Sequence, residues 1–414
     1  MKAYASRICC LDLDTFFVSV ERVLDPTLVG KPVIVGGRPG ERGVVTAASY
    51  EVRALGVRSG LSLTEAGRLA PHAVYLPGRH GTYGDYAQRV RDVVARFCPV
   101  ISIASIDEMF LDFRGCERML ARPGDGDADA TIERTVWSIV HSLDAELGLP
   151  ASVGIGTSRS VAKIASTLAK PQGVLLVPHG QEAEFLAPLP VRRYPGIGPV
   201  AEQKLARVGI GTLGQLASAG RRMLRGVLGA WADPIRAGAR GEAPADLGDD
   251  RPAFREHDPE GGIVGSISNE RTFREDVGDA DCITSMLCAL SERVCWRARR
   301  RGVQARTVTL KLRYADFETL SRGRTITPTC TEQEVFPVVM DLYRRARTRP
   351  LRLRLLGVAL SNLGLYAEQG RLFGEDTRLR GVVDTIRDKY GFDSLRRGTA
   401  TGRAFRRDDP RTRA

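Results

Sequence analysis

Apolar and polar positions along this chain follow two periods, and the switches between them mark out its elements. Residues 8–20 hold a nearly unbroken apolar run that passes into a helical pattern carrying Phe16, Phe17, Val20 and Glu21. This predicts a buried strand running into a helix, which Pro26 ends. Pro32-Val33-Ile34-Val35 predicts a short strand closed by Gly36-Gly37, followed by a small helical region to about residue 71. Residues 83–97 are helical in period, and residues 101–113 alternate again. A loop rich in Gly and Asp spans 123–129, an amphipathic helix is predicted over 132–147, and a strand over 151–155. Strands and helices alternate here without the glycine fingerprint of a dinucleotide fold, so the expected class is α+β, a sheet layered with helices.

Past Pro178 the pattern shortens to brief helices separated by glycines: Pro195-Gly196-Ile197-Gly198, then Leu205 and Val208-Gly209-Ile210. Residues 241–262, rich in Pro, Gly and Asp, read as an interdomain linker. Strand periodicity then returns. Over 306–314, Val308, Leu310 and Leu312 face one way, and Thr307, Thr309, Lys311 and Arg313 face the other. Leu351-Arg352-Leu353-Arg354-Leu355 repeats the design, with Arg352 and Arg354 opposite leucines. One face would pack a core, while the other offers cations and hydroxyls suited to a phosphate backbone; a merely solvated face is the plain alternative. The last fifty residues are polar and arginine-rich, with one helical patch at 379–390, and the chain has no internal repeat.

Composition narrows the classes. The 414 residues are enough for several domains, and a formal charge of +12, from 61 Lys+Arg against 49 Asp+Glu, suggests a polyanionic partner such as nucleic acid. No stretch approaches the roughly 18 apolar residues that span a bilayer. Met1-Lys2-Ala3-Tyr4 leads straight into a strand-like run, so we expect a cytoplasmic protein with no membrane partner. The eight cysteines include Cys9-Cys10 in the first strand and Cys282, Cys288 and Cys295 in a helical pattern, with no Cys-x-x-Cys pair. They read as reduced core residues, neither a disulfide framework nor a zinc site.

Two acidic clusters interrupt apolar runs: Asp12-Leu13-Asp14 in the first, and Ser105-Ile106-Asp107-Glu108 in the alternating run. Adjacent strand residues point to opposite faces, so Asp107 and Glu108 converge only if the chain turns there. We therefore expect a hairpin with these acids at its tip. Carboxylates in apolar surroundings need cations, and hard divalent ions with oxygen ligands are the usual remedy, magnesium above all where phosphates are the substrate. Exposed turn acids are the plainer reading of either cluster alone. The five histidines are scattered, none near the acids, which leaves schemes based on a histidine nucleophile or base without support.

Asp12-Leu13-Asp14-Thr15-Phe16-Phe17-Val18-Ser19-Val20-Glu21 and Ala104-Ser105-Ile106-Asp107-Glu108 resemble the two metal motifs of the Y-family lesion-bypass DNA polymerases, in particular the bacterial DNA polymerase IV group. The resemblance runs in order to about Leu363. It implies a right-hand polymerase, with a palm at 1–15 and 78–177, small fingers at 16–77 and a helical thumb with a helix-hairpin-helix at 178–243. A linker at 244–262, an α/β little finger at 263–363 and a basic tail at 364–414 would follow. It implies template-directed addition of deoxynucleotides to a primer 3′-hydroxyl during translesion synthesis and repair. The partners implied are primer-template DNA and deoxynucleoside triphosphates, for a monomer associated with the nucleoid. Asp12, the Leu13 backbone carbonyl, Asp107 and Glu108 would hold two magnesium ions, for which manganese can substitute, while Asp14 would support the turn.

The resemblance extends to the substrate. Ala48-Ser49-Tyr50-Glu51-Val52-Arg53 is similar to the fingers motif in which Tyr50 and Arg53 hold the β- and γ-phosphates, and their spacing of three puts both on one helix face. Ala169-Lys170-Pro171-Gln172-Gly173 resembles the loop that adds Lys170. Ala47 stands where relatives often carry Thr. Phe17 occupies the sugar-gate position, where a rigid ring collides with a ribose 2′-hydroxyl, and Phe16 would stack behind it at the nucleotide. Small residues Ala47, Ala48 and Ser49 suit a roomy site. Gly196 and Gly198 belong to a helix-hairpin-helix pattern whose free backbone N–H groups bind a DNA phosphate. Thr307, Thr309, Lys311, Arg313, Arg352 and Arg354 would track DNA on the little finger, whose opening strand resembles Gly265-Ser266-Ile267-Ser268-Asn269-Glu270-Arg271-Thr272-Phe273, with Ser268-Asn269 where relatives often have Gly-His. Gln369-Gly370-Arg371-Leu372-Phe373 resembles the Gln-x-x-Leu-Phe peptide that docks on the sliding clamp through Gln369, Leu372 and Phe373. Two rivals remain. A catalytically silent DNA-binding adaptor on this scaffold would be expected to lose acidic ligands, and a helix-hairpin-helix glycosylase leaves the acidic hairpin unexplained.

Overall fold

The first apolar run folds as strand β1 (Ile8–Leu13), buried at all six positions, and passes through Thr15 into helix α1 (Phe16–Leu24). The computed structural model describes residues 7–242, 265–365 and 377–401, so the expected linker at 244–262 and the clamp-like peptide Gln369, Leu372 and Phe373 lie outside the described residues. Contacts divide the chain into two units, Met1–Asp258 and Pro259–Ala414.

In the first unit α1 is followed by β2 (Val33–Val35), β3 (Ala47–Ala48), α2 (Tyr50–Arg53), α3 (Leu63–Leu69), β4 (Val74–Leu76) and α4 (His80–Val94). Then come β5 (Val100–Ile103), β6 (Glu108–Asp112), α5 (Glu117–Leu120), α6 (Ala128–Leu147), β7 (Ala151–Gly156), α7 (Arg159–Ala169) and β8 (Val174–Leu176). Strands β5-β6-β1-β7-β8 form one sheet, while β3-β2-β4 form a small separate one. The hairpin expected from the acidic alternating run is present as β5 and β6.

Both faces of the larger sheet are covered, which is why β1 has no polar position before Asp12. Cys9, Leu11 and Leu13 join a core with Phe16 and Val20 of α1, Tyr83 and Val90 of α4, and Ile132, Val136 and Ile139 of α6. Ile8 and Cys10 point to the other face, where they meet Phe110 and Ala162 of α7. Asp12 continues that second face by the two-residue period. Helix α7 starts at Ser158, whose hydroxyl accepts the Val161 N–H. It lies hard against β7 because Gly154 has no side chain: a Cβ there would stand 2.1 Å from the Ala162 carbonyl oxygen and 2.2 Å from the Ser166 nitrogen. The helix backbone therefore rests directly on the strand.

Short helices α8 (Glu182–Leu186), α9 (Pro199–Ala206), α10 (Leu213–Ser218), α11 (Arg221–Leu228) and α12 (Ala232–Gly238) follow. Their core of Leu186, Leu205, Leu213, Leu216, Leu224 and Ile235 also includes Val161 and Ile164 of α7.

The second unit contains β9 (Ser266–Val277), α13 (Ala280–Arg300), β10 (Val303–Tyr314), β11 (Thr319–Thr329), α14 (Glu332–Ala346), β12 (Leu353–Leu365) and α15 (Thr377–Tyr390). Its antiparallel sheet has the order β11-β10-β12-β9. Val308, Leu310 and Leu312 are buried, and Thr307, Thr309, Lys311 and Arg313 lie on the opposite face, as the alternation predicts. The run at 351–355 departs from its pattern. Arg352 precedes β12, and the register shifts between Leu353 and Leu355: Leu353 pairs with Tyr314 on the core side, whereas Leu355 pairs with Arg313 on the outer side. A bulge at Arg354 inserts one residue and breaks the strict period. Arg354 is not aligned with Lys311 and Arg313; its guanidinium covers the Phe317 ring at 4.3 Å.

Part of the arginine-rich tail folds. Buried Arg387 of α15 donates to Glu292 at 3.1 Å and to the Leu395 carbonyl, while Arg299 binds Asp384 at 2.6 Å and Glu332 at 2.8 Å. The eight cysteines are free, all but half-buried Cys282 being buried, as expected of reduced core residues.

The Gly154 contact gives a prediction. Gly154→Ala drives a methyl into the α7 backbone and should destabilise the first unit by about 2 kcal/mol or more, because overpacking without a soft neighbour cannot relax. Urea unfolding measures it; a midpoint equal to wild type would show that α7 moves freely off the strand.

Candidate active site

Register brings the two acidic motifs together. Asp12 at the end of β1 is directly opposite Glu108 on β6, with Ser152 of β7 on its other side. Directly opposed residues share a face, so both carboxylates project from the same edge of the sheet face that α7 covers. The turn between β5 and β6 is closed by the N–H groups of Ala104 and Ser105, each bonded to the Glu108 carbonyl at 3.0 Å. It places Asp107 beside β1, where the Leu13 N–H donates to the Asp107 carbonyl at 2.9 Å, and the Ser105 hydroxyl holds the Asp107 carboxylate at 2.5 Å.

Two lysines neutralise this edge. Lys163 of α7 donates to Asp12 Oδ2 at 2.8 Å and also to Glu108 Oε2, bridging the two strands. Lys170 takes the other Asp12 oxygen. Burial disfavours the charge on Lys163, but the facing carboxylates Asp12 and Glu108 outweigh it and its pKa is raised. Among the described residues, no group of three or more His, Cys, Asp or Glu is gathered as a ready metal cage. The donor chemistry nevertheless fits hard divalent ions: Asp12 and Glu108 are carboxylates from adjacent strands that already share one cation, Asp107 is held next to β1 through its backbone carbonyl, and the one sulfur in contact, the Cys10 thiol, donates to Glu108 Oε1 at 3.6 Å and is kept protonated by burial.

Asp14 organises the approach to the acids. Only 1% exposed, it accepts the Tyr50 hydroxyl at 3.0 Å on one oxygen, and the Ser152 hydroxyl at 2.7 Å and the Gln172 N–H at 2.8 Å on the other. Lys170 is 3.7 Å from it. One buried carboxylate thus ties α2 to the loop after α7, and burial together with its charge raises the Tyr50 pKa. Arg53, one turn on, donates to the Ala48 carbonyl at 2.9 Å and lies over the Tyr50 ring at 5.1 Å, so Tyr50, Arg53 and Lys170 are gathered near the acids.

The aromatic expectation needs correction. Phe16 is buried in the core, tilted at 47° to Phe17 with ring centroids 5.6 Å apart, so it is not stacked behind Phe17. A side chain starting one residue earlier on the helix points about 100° away, into the core. The ring that does stack on Phe17 is Tyr83 of α4, at 4.2 Å and 14°, with His80 edge-on at 6.0 Å. Tyr83 is itself fixed by its hydroxyl, which donates to buried Glu21 at 2.7 Å, and Arg79 lies 3.6 Å from the same oxygen.

Comparison with known proteins decides what this site belongs to. The sequence model of the impB/mucB/samB family matches residues 11–167, its C-terminal domain model matches 264–372, and the family's helix-hairpin-helix motif matches 179–210. DNA polymerase IV of Dehalococcoides mccartyi is 38% identical over 97% of this chain and 98% of its own length. DNA polymerase IV of Desulfatibacillum aliphaticivorans is 36% identical over 92% of this chain and 93% of its own. Among solved structures, a Y-family DNA polymerase chimera of Dbh and Dpo4 superposes with a TM-score of 0.74 at 25% identity, covering 87% of this chain and 99% of that one.

The chain belongs to the Y-family DNA polymerases, in the DNA polymerase IV group. It is a DNA-directed DNA polymerase of the translesion type, dependent on divalent metal, and no described helix is long and apolar enough to cross a membrane. In this polymerase, the other residues expected at the site are placed as follows. Gly198 is the N-cap of α9 and Gly196 has a φ of 96°; a Cβ at either would meet nothing within 4 Å, so both backbones are open. On the outer face of the C-terminal sheet, Lys311 is bound to Glu270 at 2.9 Å, Arg313 to Thr319 at 2.7 Å, and Thr307 to Asn362 at 2.8 Å. Sequence reasoning missed Lys163, Ser152, Tyr83 and Glu21. Lys163 carried little signal, because its helix neighbours Arg159, Ser160, Ser166 and Thr167 make its face of α7 an ordinary polar one.

Proposed function

We propose that this polymerase adds deoxynucleotides at the edge formed by Asp12, the Leu13 carbonyl, Asp107 and Glu108, these groups holding two magnesium ions, with manganese able to replace them. The observation that carries this reading is the direct pairing of Asp12 with Glu108 across β1 and β6, at an edge where Tyr50 and Lys170 also converge on Asp14. The bound ions would lower the pKa of a primer 3′-hydroxyl and neutralise charge on the departing pyrophosphate. Tyr50, Arg53 and Lys170 take the triphosphate, and Phe17, braced by Tyr83, excludes a ribose 2′-hydroxyl by collision. Residues 1–15 and 78–177 act as palm, 16–77 as fingers, 178–243 as thumb and 263–363 as little finger. Gly196 and Gly198 offer N–H groups to a DNA phosphate, and the outer face with Thr307, Thr309, Lys311 and Arg313 tracks the duplex backbone, joined by Arg352 and Arg354 at the edge of β12. We place the enzyme with the bacterial nucleoid, as a monomer recruited to a sliding clamp through Gln369, Leu372 and Phe373. A silent adaptor is disfavoured by the intact acids.

Primer extension tests the chemistry. Asp107→Ala or Glu108→Ala should lower single-turnover insertion by about a thousandfold or more while primer-template affinity changes little, since these groups serve charge that develops in the transition state. Extension near the wild-type rate would remove the acids from the mechanism.

Phe17→Ala should raise the ratio of ribo- to deoxynucleotide insertion by on the order of a hundredfold, with a smaller loss for deoxynucleotides, because the collision is the source of the discrimination. An unchanged ratio would locate the gate elsewhere.

For the clamp, Leu372→Ala with Phe373→Ala should leave extension on short oligonucleotides intact and remove stimulation by a loaded clamp, since such an anchor acts by raising effective concentration. Stimulation that persists would assign the contact to another surface.

A further inference from the structure

Lys163 has no part in the scheme above, yet it makes the most consequential contact in the site. Its ammonium bridges Asp12 Oδ2 and Glu108 Oε2, the two carboxylates paired across β1 and β6. With Lys170 on Asp12 Oδ1, both oxygens of Asp12 are taken. Lys163 in this position opposes the joint binding of a divalent ion by Asp12 and Glu108, because an ammonium at contact distance from both carboxylates repels a second cation drawn to the same oxygens. The lysine is also well anchored. Helix α7 is pressed onto β7 at Gly154, Ser166 bonds to the Lys163 carbonyl at 2.9 Å, and residues 161, 162, 164 and 165 are buried on either side. Its backbone is fixed, while its flexible four-carbon stem lets the charged end move.

We propose that Lys163 is an exchangeable counter-ion that occupies the metal site until nucleotide arrives, and so couples metal binding to triphosphate binding. This rests on the metal assignment given under Proposed function. Without substrate, the ammonium satisfies two carboxylates that would otherwise repel each other across the strand pair. A triphosphate entering beside Lys170 and Tyr50 brings several negative charges to the same edge and competes for both lysines. The carboxylates are then released to divalent ions, and Lys163 keeps its positive charge beside the polyanion. Metal and nucleotide thereby favour one another, and by linkage the favour is mutual.

The test measures Mn2+ binding directly, by electron paramagnetic resonance of free Mn2+, on the full chain without DNA, with and without a non-hydrolysable deoxynucleoside triphosphate. Four proteins are compared: wild type, Lys163→Ala, Lys163→Arg and Glu108→Ala. Lys163→Ala should bind Mn2+ alone about tenfold more tightly than wild type, as removal of a competing charge predicts, and should gain less than wild type from added nucleotide. Lys163→Arg keeps the charge and should bind Mn2+ alone no more tightly than wild type. Thermal unfolding supplies a second readout: Lys163→Ala should melt below wild type in EDTA, and Mn2+ should close the gap. A purely structural lysine would leave the gap unchanged, which overturns the proposal. So does Mn2+ affinity that is unaltered or weaker in Lys163→Ala with nucleotide coupling intact. Glu108→Ala separates the two ideas, since retained Mn2+ affinity in that variant defeats the metal assignment itself.

Discussion

The pairing of two carboxylates on neighbouring buried strands is the constraint around which this polymerase is arranged. Asp12 and Glu108 are opposed on β1 and β6, where the strand period leaves no alternative face for either. Such a pair is costly unless a cation stands between them, and Lys163 is that cation in the structure. The close approach at Gly154 keeps the lysine in reach, because α7 packs backbone to backbone on β7. Small residues at Cys10 and Ala162 continue the same seam. Charge at the edge of the sheet thus depends on the absence of side-chain bulk beneath the helix.

Asp14 plays a complementary part. It is two residues from Asp12 and almost fully buried, yet it touches lysine only at 3.7 Å, and its firm partners are a phenol, a hydroxyl and a backbone N–H. Neutral donors of this kind stabilise a carboxylate without cancelling its charge, so Asp14 both holds Tyr50 near the acids and keeps Lys170 turned toward them. The sequence motif places two aspartates one residue apart, and the structure separates their work: one carboxylate is bound by exchangeable ammonium groups, the other by fixed donors.

Much of this was legible in the chain. The alternation at 101–113 required a turn for Asp107 and Glu108 to converge, and the β5–β6 hairpin supplies it. The face assignment of β10 followed from the same period. What the pattern did not show has a physical reason in each case. The bulge at Arg354 is invisible to a two-residue period, since the inserted residue is recognised only from its partner strand. Phe16 and Phe17 are equivalent in composition, and only the helix rotation sends one to the core and the other against Tyr83. The Tyr83–Glu21 bond joins residues 62 apart, a separation over which periodicity carries no information.

The arginine-rich tail shows the same limit. Its period gave a helical patch at 379–390, present as α15, but not the packing of that helix on α13 through Arg387 and Glu292, each almost fully buried. Burial pushes the Glu292 pKa up, and the Arg387 charge pulls against it. A buried pair of this kind adds little net stability over an apolar contact, but it penalises every misplacement, because either charge left alone is strongly unfavourable. Arg299, shared between Asp384 of the tail and Glu332 of α14, extends the arrangement to a second helix. Arginine content therefore has two distinct settings in this chain: on the outer sheet face Arg313 is held at the surface by Thr319, and on α15 Arg387 is consumed within the fold, fixing where the helix sits on its own domain.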